Sequence, residues 1–147
     1  MKAMFGFFVF LLFLAGIALV MLQGRQMAQQ NLPGGGSGLV GVKWRPTYIG
    51  ADSVPNDTVM FVQFALDGSV NGHGGCNTFF GSLEKTDAGV EIGPLGATRM
   101  ACAESVMTLE TAFMNALQNI KKFEVSSDRL LLVDGENNLL IDLIGEK

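Results

Sequence analysis

One apolar segment divides this chain into two parts of different character. From Ala3 to Leu22 there are 20 consecutive residues without a charge or a strongly polar group. A helix of that length rises ~1.5 Å per residue and spans about 30 Å, the hydrocarbon thickness of a bilayer. A buried core helix is disfavoured, because the run has no polar face. The sequence therefore predicts a single transmembrane helix, with the anchor over residues 1–24.

A cleaved signal peptide is the alternative interpretation of this segment. Its apolar region would be about 7–15 residues long and would end at a small-x-small cleavage site. Here the run is longer, and Gln23–Ala28 is a poor cleavage context. A lipid anchor is excluded at Leu14-Ala15-Gly16, because Ile17 follows where a lipoprotein has its cysteine. We therefore expect the N-terminus to be retained.

The apolar segment is followed by a short connecting region and then by one globular domain. Residues 25–38 are polar and then rich in glycine and serine, which is typical of a flexible linker. The domain is predicted over residues 39–147. A net charge of −4 and a pI near 4.8 argue against a nucleic-acid binder.

Short strands joined by tight turns fill most of this domain. Val59–Leu66 alternates apolar and polar residues and is followed by Asp67-Gly68, a two-residue hairpin signal. Asp134-Gly135 likewise separates Leu130–Val133 from Leu139–Ile144. The recurrence of such turns predicts an antiparallel sheet of six to eight short strands.

One helix is predicted among the strands, at about Ser105–Lys121. Its apolar residues recur at spacings of three and four and form one stripe: Val106, Leu109, Phe113, Leu117 and Ile120. A stripe of this kind must be buried against another element. We therefore expect an α+β fold in which a curved, barrel-like antiparallel sheet packs around one amphipathic helix.

The densest motif lies between two of the predicted strands. The pattern F-x-x-D-G-x-V-x-G-x-G-G-C-N-x-F-x-G ends at Gly81, T-R-M-A-C follows at Thr98, and a glutamate stands within the helix. This combination resembles the META domain, also called the HslJ-like heat-shock domain, from Trp44 to Ile144. The motif residues are Gly72, Gly74, Gly75, Cys76, Asn77, Phe79, Gly81, Thr98, Arg99, Met100, Cys102 and Glu110. The resemblance implies a small envelope protein with antiparallel β-structure against a helix.

Cys76 and Cys102 are the only cysteines, with 25 residues between them. We predict a disulfide, which an exported domain would form in an oxidising compartment. Two buried free thiols are one alternative. A reactive Cys76 activated by His73 is another, and it would need the imidazole within hydrogen-bond reach of the sulfur.

The remaining motif residues have both structural and functional interpretations. His73 and the two cysteines lack the close spacing of zinc ligands, so no metal site is expected. The motif glycines suit bulges or close strand packing, and Asn77 is expected to cap or bridge a turn. Arg99 is expected to pair with Glu110, and the alternative is an exposed arginine that grips a carboxylate or phosphate.

The sequence thus predicts a non-enzymatic module without a cofactor. We expect it to be anchored in the inner membrane by a single span with its domain in the periplasm, and to be stress-related by resemblance. Its expected partners are the membrane and a hydrophobic ligand, such as a lipid or an apolar peptide, or another envelope protein. The alternatives are a thiol-dependent enzyme using Cys76 and His73, and a protein–protein adaptor using an exposed strand edge.

Overall fold

A computed structural model describes residues 38–146 of the chain. Ten strands and one helix lie in this region. The strands are β1 (Lys43–Ile49), β2 (Asp52–Ser53), β3 (Phe61–Phe64), β4 (Ser69–His73), β5 (Thr78–Thr86), β6 (Gly89–Ile92), β7 (Gly96–Ala97), β8 (Lys122–Ser126), β9 (Arg129–Val133) and β10 (Leu139–Glu146). The helix, α1 (Glu104–Gln118), lies between β7 and β8.

The strands form a single antiparallel sheet with the order β6-β5-β4-β3-β1-β10-β9-β8. The short strands β2 and β7 pair with β1 and β5 outside this path. Consecutive hairpins build both halves of the sheet, and β1 joins the halves by pairing with β10. The hairpin predicted at Asp67-Gly68 is confirmed, with Gly68 at a φ of +83°.

The sheet does not close, so the predicted barrel-like fold is wrong. The end strands β6 and β8 form no ladder, and one backbone hydrogen bond, from the Val90 N–H to the Lys121 carbonyl at 2.9 Å, joins this region. The fold is mostly antiparallel sheet, with ten short strands instead of six to eight and one helix of 15 residues. Periodicity within a strand identifies its buried face, but it contains no information on whether distant end strands pair.

The transmembrane helix predicted over residues 1–24 lies outside the described residues. Within residues 38–146, α1 is too short and too polar to cross a membrane. The linker predicted at residues 25–38 also falls almost wholly outside the described part of the chain.

The helix buries one face against the sheet. Phe113 and Leu117 are fully buried, as is Ile120 just beyond the last helical residue. They meet inward-facing strand residues such as Trp44 and Val62, which are also fully buried. This packing places Glu110, one turn before Phe113, against the loop between β4 and β5.

Candidate functional site

The motif loop between β4 and β5 turns sharply at two glycines. Gly75 has a φ of +110°, a conformation that residues with a Cβ rarely adopt. The Gly74 N–H donates to the Asn77 carbonyl at 2.7 Å, and the Gly75 N–H donates to His73 Nδ1 at 3.0 Å. The loop therefore closes on itself and turns the N–H groups of Cys76 and Asn77 towards the helix.

Glu110 receives these N–H groups from α1. Its Oε2 accepts the Asn77 N–H at 2.6 Å and the Cys76 N–H at 3.1 Å, and its Oε1 accepts the Asn77 side-chain amide at 2.7 Å. The residue is only 8% exposed. Three donors on one buried carboxylate form charge-assisted hydrogen bonds, which are stronger than those between neutral groups. Glu110 thus fastens the loop to the helix.

The pKa of Glu110 reflects two opposing influences. Burial raises the pKa, because the charged form loses hydration. The hydrogen bonds from Asn77 and Cys76 and the nearby His73 lower it by more, so the pKa lies below its ordinary value of 4.5. Glu110 is therefore ionised at neutral pH and is not a proton donor there.

Asn77 extends this network to the segment that precedes the helix. Its Oδ1 accepts the Thr98 hydroxyl at 2.9 Å and the Met100 N–H at 2.7 Å. The side chain of Asn77 is 95% buried and uses its amide nitrogen for Glu110. We refer to Cys76, Asn77, Thr98, Met100 and Glu110 as the clasp, since together they join the loop, the pre-helix segment and α1.

A disulfide between Cys76 and Cys102 ties the loop covalently to the pre-helix segment, as predicted. The two Cα atoms are 6.0 Å apart. Cys76 is buried and Cys102 is exposed. Neither cysteine of the chain is free, and His73 Nδ1 accepts a backbone N–H instead of facing a thiol. This arrangement does not support the thiol-dependent enzyme.

The other motif glycines and Phe79 lie in close contact with neighbouring groups around the clasp. A Cβ on Gly74 would lie 2.6 Å from the Glu110 carboxylate, and one on Gly72 would lie 2.2 Å from the Phe61 carbonyl oxygen. Phe79 is buried and meets Phe113 edge to face, with ring centroids 6.0 Å apart. The motif glycines therefore allow close approach of neighbouring groups.

Gly81 serves the same purpose on β5, since a Cβ there would lie 2.7 Å from Leu95.

The predicted pair between Arg99 and Glu110 does not form. The Glu110 oxygens are occupied by Asn77 and the Cys76 N–H, whereas Arg99 is exposed and has no ion pair within residues 38–146. Charge alone suggested arginine as the partner, but amide and backbone donors lie closer. The signal that could have revealed this is a glutamate within the apolar stripe of the helix.

A groove separates the two ends of the open sheet. It has a volume of about 400 Å³ and is lined by Lys85, Gly89, Val90, Lys121, Lys122, Phe123 and Glu124. We call it the seam groove. Its lining surface is mostly apolar, and its charged residues are three lysines and Glu124. Lys121 is paired with Glu91 across the seam. No sequence pattern marks this groove, because its two walls come from distant parts of the chain.

Within residues 38–146 there is no group of three or more histidine, cysteine, aspartate or glutamate side chains arranged to hold a metal ion.

Known proteins resemble this chain in sequence and in fold. A family model described as the META domain matches residues 37–143. An NMR structure of a protein from Burkholderia xenovorans is 26% identical, with a TM-score of 0.55, covering 71% of this chain and 78% of its own. A crystal structure of a DUF4847 family protein from Bacteroides vulgatus has 19% identity and a TM-score of 0.52, covering 74% and 95%. The latter supports the fold alone. No curated protein matches the chain.

Proposed function

Since the chain belongs to the META domain family, we propose that it is a non-enzymatic binding module that takes up an apolar ligand in the seam groove. The domain acts outside the cytoplasm, attached to the inner membrane through its N-terminal segment. The observation that carries this proposal is the groove itself, a concave apolar surface with charged groups at its rim. Ligand sites commonly combine an apolar lining with a few polar groups that fix orientation.

The use of the motif residues supports a non-enzymatic role. The polar groups of the clasp donate to or accept from one another. A catalytic centre needs a nucleophile, acid or base that can reach a substrate. In the clasp the carboxylate is ionised and buried, and both sulfurs are in the disulfide. The motif therefore stabilises the domain, and we assign ligand binding to a separate surface.

The disulfide supports the proposed location. Disulfides persist in oxidising compartments such as the bacterial periplasm and are rare in the cytoplasm. The apolar run at residues 3–22 supports attachment to the membrane. Fractionation of cells that express the full chain tests the attachment to the membrane. Protease added to spheroplasts tests the location, because it should digest a domain that lies outside the cytoplasm. A protected domain in intact spheroplasts would contradict the location.

Binding of a fluorescent fatty acid to the full chain tests the proposed ligand class. Phe123 is half-buried and lines the groove, so Phe123→Asp should weaken binding by about tenfold or more, because a charge replaces apolar contact area. Leu66→Asp is the matched control, since Leu66 is 77% exposed and does not line the groove. Equal affinity in both variants would contradict the assignment of ligand binding to the groove.

A further inference from the structure

β8 is an end strand of the sheet and pairs with β9 on one side only. Its other edge faces the seam groove, to which Lys122, Phe123 and Glu124 contribute. An edge strand presents unpaired N–H and C=O groups that can pair with another extended chain. Within the described part of the chain, no strand occupies this edge.

The opposite wall of the groove belongs to the other end of the sheet. Val90 of β6 donates its N–H to the Lys121 carbonyl, and Lys121 pairs with Glu91, so the two ends meet at one corner. A Cβ on Gly89 would lie 2.2 Å from the same carbonyl oxygen, which explains the glycine there. Apart from this corner, β6 and β8 share no ladder. The groove is thus bordered by two end strands.

The charge at the groove rim differs from that of the domain. All 14 acidic residues of the chain lie within residues 38–146, whereas Lys2, Arg25 and Lys147 lie outside that range. Despite this acidic excess, the charged residues that line the seam groove are three lysines and one glutamate, Glu124. Lys121 is paired with Glu91, whereas Lys85 and Lys122 have no carboxylate within ion-pair distance among the described residues. The two unpaired lysines outnumber Glu124, so the groove has an excess of positive charge that favours an anionic ligand.

We propose that the free edge of β8 binds an extended segment of another protein in which apolar and acidic residues alternate. The segment adds a strand beside β8, places apolar side chains over Val90 and Phe123, and directs carboxylates towards Lys85 and Lys122. Strand addition combines main-chain hydrogen bonds, which provide affinity, with contacts to alternate side chains, which provide specificity. This inference rests on the proposed function and names its ligand class.

A peptide suits this groove better than an aliphatic chain for a physical reason. A lipid tail lying against β8 would cover its unpaired backbone groups without offering hydrogen bonds. Burying such groups unpaired is costly. An extended peptide covers the same apolar floor and pairs with the edge.

Probe peptides of about nine residues test the inference on the full chain. A peptide alternating valine and glutamate should bind, as measured by fluorescence anisotropy, and hydrogen exchange should slow at the β8 amides. Two matched peptides test the charge pairing and the main-chain pairing separately. One replaces glutamate by lysine, and the other carries N-methyl groups on alternate backbone amides, which remove the donors of one strand edge. Each should bind at least about tenfold more weakly, since it loses the charge pairing or the main-chain pairing.

Protein variants complete the test. Lys85→Glu and Lys122→Glu should each weaken binding of the valine–glutamate peptide by about two- to fivefold, the range expected for exposed ion pairs. Lys43→Glu is the control, because Lys43 lies on β1 beside Glu146 and Phe61, away from the groove. Equal losses in all three variants would overturn the assignment to the groove rim.

Several results separate this inference from the proposed function. Equal binding of the N-methylated peptide would overturn strand addition, and equal binding of the lysine peptide would overturn the role of charge. If the fluorescent fatty acid binds and no peptide does, the peptide inference fails and the proposed function stands. If neither binds, both fail.

Discussion

Glu110 is a buried charged residue that holds the helix and the β4–β5 loop together. The carboxylate sits on the buried face of α1 and accepts three hydrogen bonds from one loop. Its charge is tolerated there because the donors replace the water that burial removes. The consequence is a fixed distance between the helix and the β4–β5 loop, which in turn places Asn77 against Thr98 and Met100.

Glu110→Gln should lower the free energy of unfolding by about 1.5–3 kcal/mol, because the buried network loses the negative charge and one of its two acceptor oxygens. The effect should depend on pH. The folded-state pKa of Glu110 is lowered, so its contribution is present above its ordinary value of 4.5 and is lost as the pH falls through the folded-state value. Urea unfolding of both proteins between pH 7 and pH 3 should show the difference shrinking with acid.

Glu84→Gln is the control for this substitution, since Glu84 is exposed on β5 and makes one long contact to Ser82 at 3.4 Å. It should change stability by about 0.5 kcal/mol or less. A Glu110→Gln deficit that stays constant from pH 7 to pH 3 would contradict the role given to the carboxylate.

Gly74→Ala tests the close approach of the loop to the helix. Its Cβ would lie 2.6 Å from the Glu110 carboxylate, so the network must shift, and we expect a loss of about 1–3 kcal/mol. Gly135→Ala is the matched control, because its nearest neighbour would be the Lys121 side chain at an ordinary 3.7 Å. Thermal melts that rank the two variants equally would contradict this account.

At the scale of the element, local patterns predicted most strands and the helix. Met60, Val62 and Phe64 are buried as the alternation in Val59–Leu66 predicts, but Leu66 is 77% exposed because it lies beyond the end of β3. Pro46 lies within β1, between the paired strands β3 and β10, at a point where the register with β10 shifts. The bulge accommodates a residue without an N–H.

The buried residues at the centre of the helix stripe were predicted correctly, but Glu110, the polar residue of the buried face, was missed. Phe113 and Leu117 are buried as expected, whereas Val106 and Leu109 are half-buried. The predicted stripe counted apolar residues only, so it left out Glu110, although the position of Glu110 in the chain places it on the same face. The partners of Glu110 come from more than 30 positions away in the chain, and no local pattern contains such contacts.

Leu117→Ala should lower the free energy of unfolding by about 2–5 kcal/mol, because it leaves a cavity where a fully buried side chain packs. Asn115→Ala on the exposed side of α1 should change it by about 0.5 kcal/mol or less. Urea unfolding of both variants provides the comparison, and similar losses would mean that the helix is not packed by this face.

At the scale of the whole molecule, the sheet is open and its two ends meet at one corner. Sequence patterns predicted a curved sheet around a helix, but closure depends on whether β6 and β8 lie close enough to pair along their length. That distance is set by the sum of strand twists and bulges across the sheet. The seam groove is the product of this geometry, so the surface to which we assign ligand binding could not be predicted from any single motif.

The disulfide adds a covalent bond between the loop and the pre-helix segment, which the clasp joins by hydrogen bonds. With 25 residues between the cysteines, its removal should cost about 3–4 kcal/mol in the loop-entropy model. Cys76→Ser should cost somewhat more than Cys102→Ser, because only Cys76 is buried. The double variant should lose little more than Cys76→Ser alone, since one bond is removed in every case. Additive losses in urea unfolding would contradict the bond.

The motif cysteines form a structural disulfide, and we propose that the domain functions outside the cytoplasm. A thiol count on the full chain, trapped by alkylation in intact cells and measured after denaturation without reductant, tests this most directly. We expect no free thiol among the two cysteines of the chain. Two free thiols per molecule would contradict both the bond and the proposed location.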